Sequence, residues 1–235
     1  MSEAGNYVFA PAAQSAIPIV GSDQLYPVHR VFCVGRNYAE HAKEMGFEVD
    51  REAPFYFMKP ATAIVVAPAK IAYPPATKNY HYEMEFVVAL GAPAFRIAAA
   101  NALDIVFGYA CGLDMTRRDL QLDSRSKGRP WDTAKAGEQS AIITPIVTKA
   151  SFGAIGVQAI TLAQNGPLKQ SAHLKDLVWS VPELIAHLSS LYHLGPGDLI
   201  YTGTPAGVGP VEAGDVLKGH IDGLPELELT VGPAE

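Results

Sequence analysis

Apolar residues in this chain come in short runs broken by Gly, Pro and Asn, a pattern of many short strands. Strands are expected over 31–34, 55–59, 63–67, 70–73, 80–90, 105–113, 142–148, 156–164 and 198–203, with shorter pieces at 7–9 and 17–20. Asn165-Gly166 between two such runs predicts a hairpin turn. Period 3.6 is rarer. Asn37 followed by Glu40 resembles a capping box and predicts a helix to Met45, stopped by Gly46. Ser180-Val181-Pro182-Glu183 is a second box; its helix should bury Leu184, Ile185, Leu188 and Leu191 and close at Gly195. Short helices are expected over 98–103 and 115–122. Residues 47–54 are charged, lack periodicity and predict a mobile loop, and 123–130 predict a polar loop. With no repeat, linker or low-complexity stretch, residues 1–235 read as a single catalytic domain, with 1–30 an N-terminal strand and turn segment and 36–54 a helix-containing lid.

The run Tyr80–Leu90 carries the first chemical signal. Side chains at i and i+2 share a strand face, so Glu83 and Glu85 point the same way from an apolar segment. Carboxylates about 7 Å apart repel by about 2 kcal/mol at an effective dielectric near 20. A hard divalent cation would turn that repulsion into a binding site. Alone, the pair better describes an edge strand showing two acids to water, and residues further along reverse that preference.

Composition narrows the function classes. At 49% hydrophobic and 18% charged residues, the chain is an ordinary globule able to bury a core without disulfides. Its net charge of −6, with no basic stripe, argues against a nucleic-acid partner and leaves small anionic substrates open. Cys33 and Cys111 lie far apart in apolar runs and read as buried thiols. The N-terminal residues show no signal-peptide pattern, and the most apolar window, 97–113, is interrupted by Asn101 and Asp104. The expected location is cytoplasmic, without membrane association.

Further constellations follow. His41 and Glu44, at i and i+3, would share a helix face, as a general base and its orienting carboxylate do, or as a solvated surface pair does. Asp114, Arg118 and Gln121 fall at i, i+4 and i+7 after a buried strand. Asp114 is a third metal ligand or a helix cap; Arg118 and Gln121 are donors that could polarise a carbonyl, with Arg118 alternatively in an i,i+4 ion pair with Asp114. Lys135 sits among Ala134, Ala136 and Gly137, which leave room for a ligand; its ordinary fate would be exposure. In Tyr201-Thr202-Gly203-Thr204-Pro205-Ala206-Gly207-Val208-Gly209-Pro210 a strand opens into a Gly-rich loop whose N–H groups could face an anion or merely form a tight turn. No Ser-centred nucleophile elbow and no His-x-x-x-His pair is present.

Six stretches, in order, resemble the fumarylacetoacetate hydrolase family: Gly35-Arg36-Asn37-Tyr38-Ala39-Glu40-His41, Phe57-Met58-Lys59-Pro60, Glu83-Met84-Glu85, Gly112-Leu113-Asp114-Met115-Thr116 with Arg118 and Gln121, Gly128-Arg129-Pro130-Trp131-Asp132-Thr133-Ala134-Lys135, and the Gly-rich loop from Thr202 to Pro210. The resemblance implies a β-rich mixed α/β fold, a mixed β-sandwich roll with a few short helices, usually a homodimer. It implies one Mg²⁺ or Mn²⁺ held by Glu83, Glu85 and Asp114. His41 and Glu44 would be a lid-borne catalytic dyad, with Lys135 also catalytic. Arg36, Arg118, Gln121 and Thr204 would bind substrate. The implied reaction is hydrolysis of a C–C bond in a 2,4-dioxo acid, an acylpyruvate such as fumarylpyruvate. The alternatives are acetylpyruvate hydrolysis, oxaloacetate decarboxylation, or an isomerase, decarboxylase or hydratase of aromatic-compound catabolism. A binding protein with a degenerate site would be expected to lack a ligand or the dyad. Tyr82, Gly137 and Ile142 depart from the family pattern and bear on the metal surroundings and the pocket's shape.

Overall fold

The computed structural model describes residues 7–46, 51 and 53–234. A curled mixed sheet of eight strands forms its centre. Its strand order is Phe55–Lys59, Arg30–Gly35, Asp198–Tyr201, Met84–Leu90, Val106–Asp114, Ala141–Ile143 and Ile64–Val66, with Val147–Thr148 also pairing with Val106–Asp114. A five-stranded sheet, Leu168–His173, Ala159–Gln164, Val216–Ile221, Leu227–Ala234 and Ala69–Tyr73, packs against it. Two small sheets complete the fold, an N-terminal hairpin of Ala16–Pro18 with Leu25–Pro27 and a three-stranded sheet centred on Tyr80–Tyr82.

The alternation along Met84–Leu90 explains the layers. Met84, Phe86, Val88 and Leu90 face the core shared with the five-stranded sheet and the Val181–Leu191 helix. Val87 and Ala89 face the opposite core, which the N-terminal hairpin covers with Ile17 and Tyr26. A strand buried on both faces reads as a continuous apolar run. Glu85 and Glu83 continue the second face, so that layer changes from apolar to acidic at one end of the sheet. Gly112, opposite Glu85 in the register, is required by space: a Cβ there would lie 2.5 Å from Val87 and 2.6 Å from Tyr201.

Several local expectations change. The predicted strand over 80–90 breaks at Glu83, because Tyr80–Tyr82 pairs with Thr116–Arg117 and Gly209–Val211 while Met84–Leu90 joins the central sheet. Residues 7–9 are exposed and irregular, having no partner strand. The Asn37–Glu40 capping box does not form. The helix is Ala39–Glu44, and the buried Asn37 side chain donates instead to the Thr202 and Trp179 carbonyls at 2.8 and 3.0 Å and accepts from Trp179 N–H at 2.7 Å. The second box does form, with Glu183 accepting from Ser180 N–H at 2.8 Å, but its helix ends at Leu191, which is exposed. The expected helix over 115–122 starts later and runs longer, at Arg118–Ser126, because Thr116–Arg117 is drawn into a strand by Tyr80–His81. The predicted loop over 123–130 is correspondingly shorter. Most of the predicted mobile loop over 47–54, namely 47–50 and 52, lies outside the described residues. Among the described residues, no helix is long and apolar enough to cross a membrane.

Two predictions arise here. Asp198 is fully buried and holds the Arg30 guanidinium through both oxygens at 2.9 and 2.6 Å, tying adjacent strands together. Removing one partner of a buried pair leaves the other uncompensated. Asp198→Ala is therefore expected to lower stability by about 3 kcal/mol, read as a lower urea midpoint at an unchanged m-value. Both cysteines are buried free thiols, and burial raises both pKa values, that of Cys111 to about 12. Only about one Cys111 in ten thousand would be thiolate at pH 8. The native protein should leave both thiols unlabelled by a thiol reagent, whereas urea should expose two.

Candidate metal centre and active site

Three carboxylates converge at the acidic end of the central sheet. Glu83 lies at the break between two strands, Glu85 is on Met84–Leu90, and Asp114 ends Val106–Asp114. A hydrogen bond from Asp114 N–H to the Glu83 carbonyl, 2.9 Å, sets Asp114 beside Glu83. Each side chain offers one oxygen, and these oxygens lie within 4.8 Å of one another with all three residues buried. Part of this negative charge is balanced. The Lys135 ammonium donates to Glu83 at 2.7 Å, to Asp114 Oδ2 at 2.8 Å and to Thr116 at 2.7 Å. Arg118 donates to Glu83 and to Gln121.

The electrostatics separate the two glutamates. Burial alone would raise Glu83, but Lys135 and Arg118 hold its carboxyl well below the usual range. Glu85 accepts from the Gly203 N–H at 2.8 Å, and its pKa rises well above the usual value through burial and through repulsion from Asp114 and Glu83, which outweigh Gly203 and the more weakly felt Lys135. Lys135 is raised despite its burial, because Asp114 and Glu83 surround it.

These residues fit a divalent cation. The donor set is oxygen only, which suits a hard ion such as Mg²⁺ or Mn²⁺. Asp114 Oδ1 is buried and lies 2.9 Å from Lys59 Nζ, yet among the described residues no donor reaches it in hydrogen-bond geometry. A cation would supply the missing partner. Cation binding requires Glu85 in its charged form, so below the raised pKa of Glu85 each binding event should release a proton. Apparent affinity should then rise with pH. Calorimetry in buffers of different ionisation enthalpy checks this: the wild-type binding heat should depend on the buffer below that pKa and lose the dependence above it.

The same cavity holds the other residues singled out by sequence. His41, Arg36, Arg118, Gln121, Lys135 and Thr204 line it together with Glu83 and Glu85. His41 is buried on the Ala39–Glu44 helix, with Nδ1 3.1 Å from Glu44 Oε2. Glu44 is held in turn by Gly207 N–H, at 3.1 and 3.2 Å. Gly207 has a φ of +95°, and a Cβ there would lie 2.0 Å from the Lys169 carbonyl, so only glycine serves. The N–H groups of Gly203 and Gly207 thus face anions, but these are the chain's own carboxylates. Thr204 is fixed by Gln170, 2.8 Å away. Asp114 does not share a helical stripe with Arg118 and Gln121: it closes a strand, and only the latter two lie on the Arg118–Ser126 helix. Tyr82 is buried against Gly209, and Ile142 belongs to a central strand.

Sequence reasoning gave Lys59 no role. It is buried, pairs with Asp114, and donates to the Met115 carbonyl at 3.0 Å, to Ser140 at 2.9 Å and to the Lys135 carbonyl. Its period-two spacing from Phe57 and Phe55 puts it on the face that bears the carboxylates.

The model of the fumarylacetoacetate (FAA) hydrolase C-terminal family matches residues 30–232. The chain belongs to this family. A fumarylpyruvate hydrolase of Ralstonia sp. is 54% identical over 193 residues, covering 81% of this chain and 100% of the relative. The mitochondrial oxaloacetate tautomerase of Homo sapiens is 38% identical over 205 residues, 87% of this chain and 92% of the relative. Among solved structures, the fumarylpyruvate hydrolase of Pseudomonas aeruginosa in complex with Mn²⁺ and pyruvate superposes with a TM-score of 0.95 at 49% identity, covering 98% of this chain and 100% of that one. The β-rich mixed fold with a curled sheet and few helices is thus that of the family, and the acidic triad is a site that can hold a divalent cation.

Proposed function

We propose that this chain is a metal-dependent hydrolase that cleaves a C–C bond of an acylpyruvate, with fumarylpyruvate giving fumarate and pyruvate. The observation that carries the reading is a cluster of three buried carboxylates, two of which, Glu83 and Glu85, line one cavity with Lys135, Arg118 and His41, the last backed by Glu44. A bound Mg²⁺ or Mn²⁺ supplies Lewis acidity and charge for the 2-oxo acid end and for the enolate that leaves. Glu83, Glu85 and Asp114 hold it. Glu44 faces Nδ1 of His41 and so fixes the tautomer that leaves Nε2 as base, and Nε2 takes a proton from water. The hydroxide attacks the distal carbonyl carbon. Lys135, with Arg118 and Gln121, stabilises the resulting oxyanion. The C–C bond to the methylene carbon then breaks, its electron pair leaving as pyruvate enolate, which is protonated to pyruvate. Arg36 and Thr204 bind the substrate.

The likeness to the fumarylpyruvate hydrolases supports this substrate, and the likeness to the oxaloacetate tautomerase supports a second reading in which the same cavity enolises oxaloacetate. The reading also comprises one catalytic domain, a cytoplasmic location and a homodimer. The dimer is supported by exposed Phe55 and Met58 on the outermost strand of the central sheet. Chelator-stripped protein should remove fumarylpyruvate absorbance only after Mg²⁺ or Mn²⁺ is added, with kcat/KM well above that for acetylpyruvate. If fumarylpyruvate is untouched while oxaloacetate turns over, the second reading holds.

A further inference from the structure

The Arg118–Ser126 helix presents a graded face to the cavity. Arg118, Gln121, Leu122 and Arg125, at i, i+3, i+4 and i+7, all line it. The series begins at the carboxylate centre, where Arg118 binds Glu83, and ends about 10 Å along the helix axis at Arg125. Arg36 lines the same cavity. Its φ of +60° is unusual for a residue other than glycine, a backbone cost that concentrates at functional sites.

The two guanidinium groups sense each other. Burial lowers the Arg36 pKa, and the charge of Arg125 lowers it further. A carboxylate held in the same cavity would be attracted by both charges. Arg125 also donates to the Met45 carbonyl, 3.4 Å away, at the end of the Ala39–Glu44 helix. A guanidinium has five donors in a planar fork, so that contact is compatible with a carboxylate. Phe57 and Trp131 form part of the same wall and offer flat faces to a conjugated chain.

We infer that Arg125 and Arg36 form a second anion subsite that selects acylpyruvates whose acyl group itself ends in a carboxylate. This inference rests on the acylpyruvate hydrolase reading. The dimensions agree: a seven-carbon dioxo diacid advances about 1.3 Å per C–C bond, or about 8 Å between its terminal carbons. With its 2-oxo acid end at the carboxylate centre, Gln121 lies beside the middle carbonyl, Leu122 beside the apolar double bond and Arg125 at the far carboxylate. A methyl-terminated acyl group reaches neither arginine.

The test compares kcat/KM for fumarylpyruvate and acetylpyruvate, with Mg²⁺, in the wild type, Arg125→Met, Arg125→Lys and Arg36→Met. Both arginines are exposed at the rim, so these variants are expected to fold, and thermal melts check it. The fumaryl-to-acetyl ratio should fall at least thirtyfold in Arg125→Met, mainly through KM for fumarylpyruvate, and should be partly kept in Arg125→Lys. Arg36→Met should lower it in the same direction. A ratio within threefold of wild type in Arg125→Met overturns the inference, and an equal loss on both substrates would do so by reassigning Arg125 to the Ala39–Glu44 helix through Met45. Absence of wild-type turnover of both substrates overturns the hydrolase reading, and the inference with it, and is distinguished by the wild-type measurement alone.

Discussion

Replacing His41 with alanine is expected to lower kcat about a thousandfold, the usual weight of a positioned general base, while divalent-cation affinity stays at the wild-type level. The separation follows from geometry. His41 lies on the Ala39–Glu44 helix, whereas all three candidate ligands lie on or beside sheet strands. Glu44→Gln should produce a smaller loss, of about ten- to a hundredfold, because its amide can still meet Nδ1 but no longer stabilises the imidazolium. Gly207→Ala should resemble Glu44→Gln in kcat, since its backbone N–H holds Glu44 and a Cβ at this φ would force the loop away from Lys169. Steady-state kinetics beside calorimetric titration of Mn²⁺ separates the two effects. A His41→Ala protein with near-normal kcat would remove the dyad from the mechanism.

The second large effect divides the ligand set. Glu85→Gln and Asp114→Asn should each abolish cation binding and metal-dependent turnover, yet their effects on the metal-free protein should be opposite. Glu85 is surrounded by negative charge and holds its proton well above the ordinary range, so a neutral amide of the same shape costs little and relieves repulsion from Asp114 and Glu83. Asp114 is the counter-charge for two buried ammonium groups, Lys59 at 2.9 Å and Lys135 at 2.8 Å. Its loss takes from Lys59 the carboxylate it pairs with and leaves Lys135 with Glu83, at a cost of about 3–5 kcal/mol. In urea without metal, Glu85→Gln should unfold at or above the wild-type midpoint and Asp114→Asn well below it. Equal midpoints would show that Lys59 and Lys135 find other partners.

The lysines also explain how the site tolerates three buried carboxylates. Each ammonium joins segments distant in the chain: Lys59 links the outermost strand to Met115 and Ser140, and Lys135 links its short helix to Glu83. These contacts pre-position the oxygens before a cation arrives, so little reorganisation accompanies binding.

Much of this was legible in the residues themselves. Period-two apolar runs located most strands, Asn165-Gly166 marked its hairpin, and the i, i+2 spacing put Glu83 and Glu85 on one side. The Ser180–Glu183 box marked a helix start because its bonds are local and depend on four consecutive residues. The Asn37–Glu40 box has the same spacing and failed, because Asn37 is buried where Trp179 and Thr202 offer better partners, and spacing carries no information about segments far along the chain. The same limit hid the break at Glu83, where pairing with Thr116–Arg117 and Gly209–Val211 redirects a strand that propensity alone would continue. It also hid Lys59, whose burial depends on Asp114 and Ser140. The sequence by itself determined the types of group present and their faces on each element. Only the tertiary structure decided which carboxylates are compensated, which one has its pKa raised and which glycine N–H holds Glu44, because burial and Coulomb interaction depend on distances in space rather than along the chain.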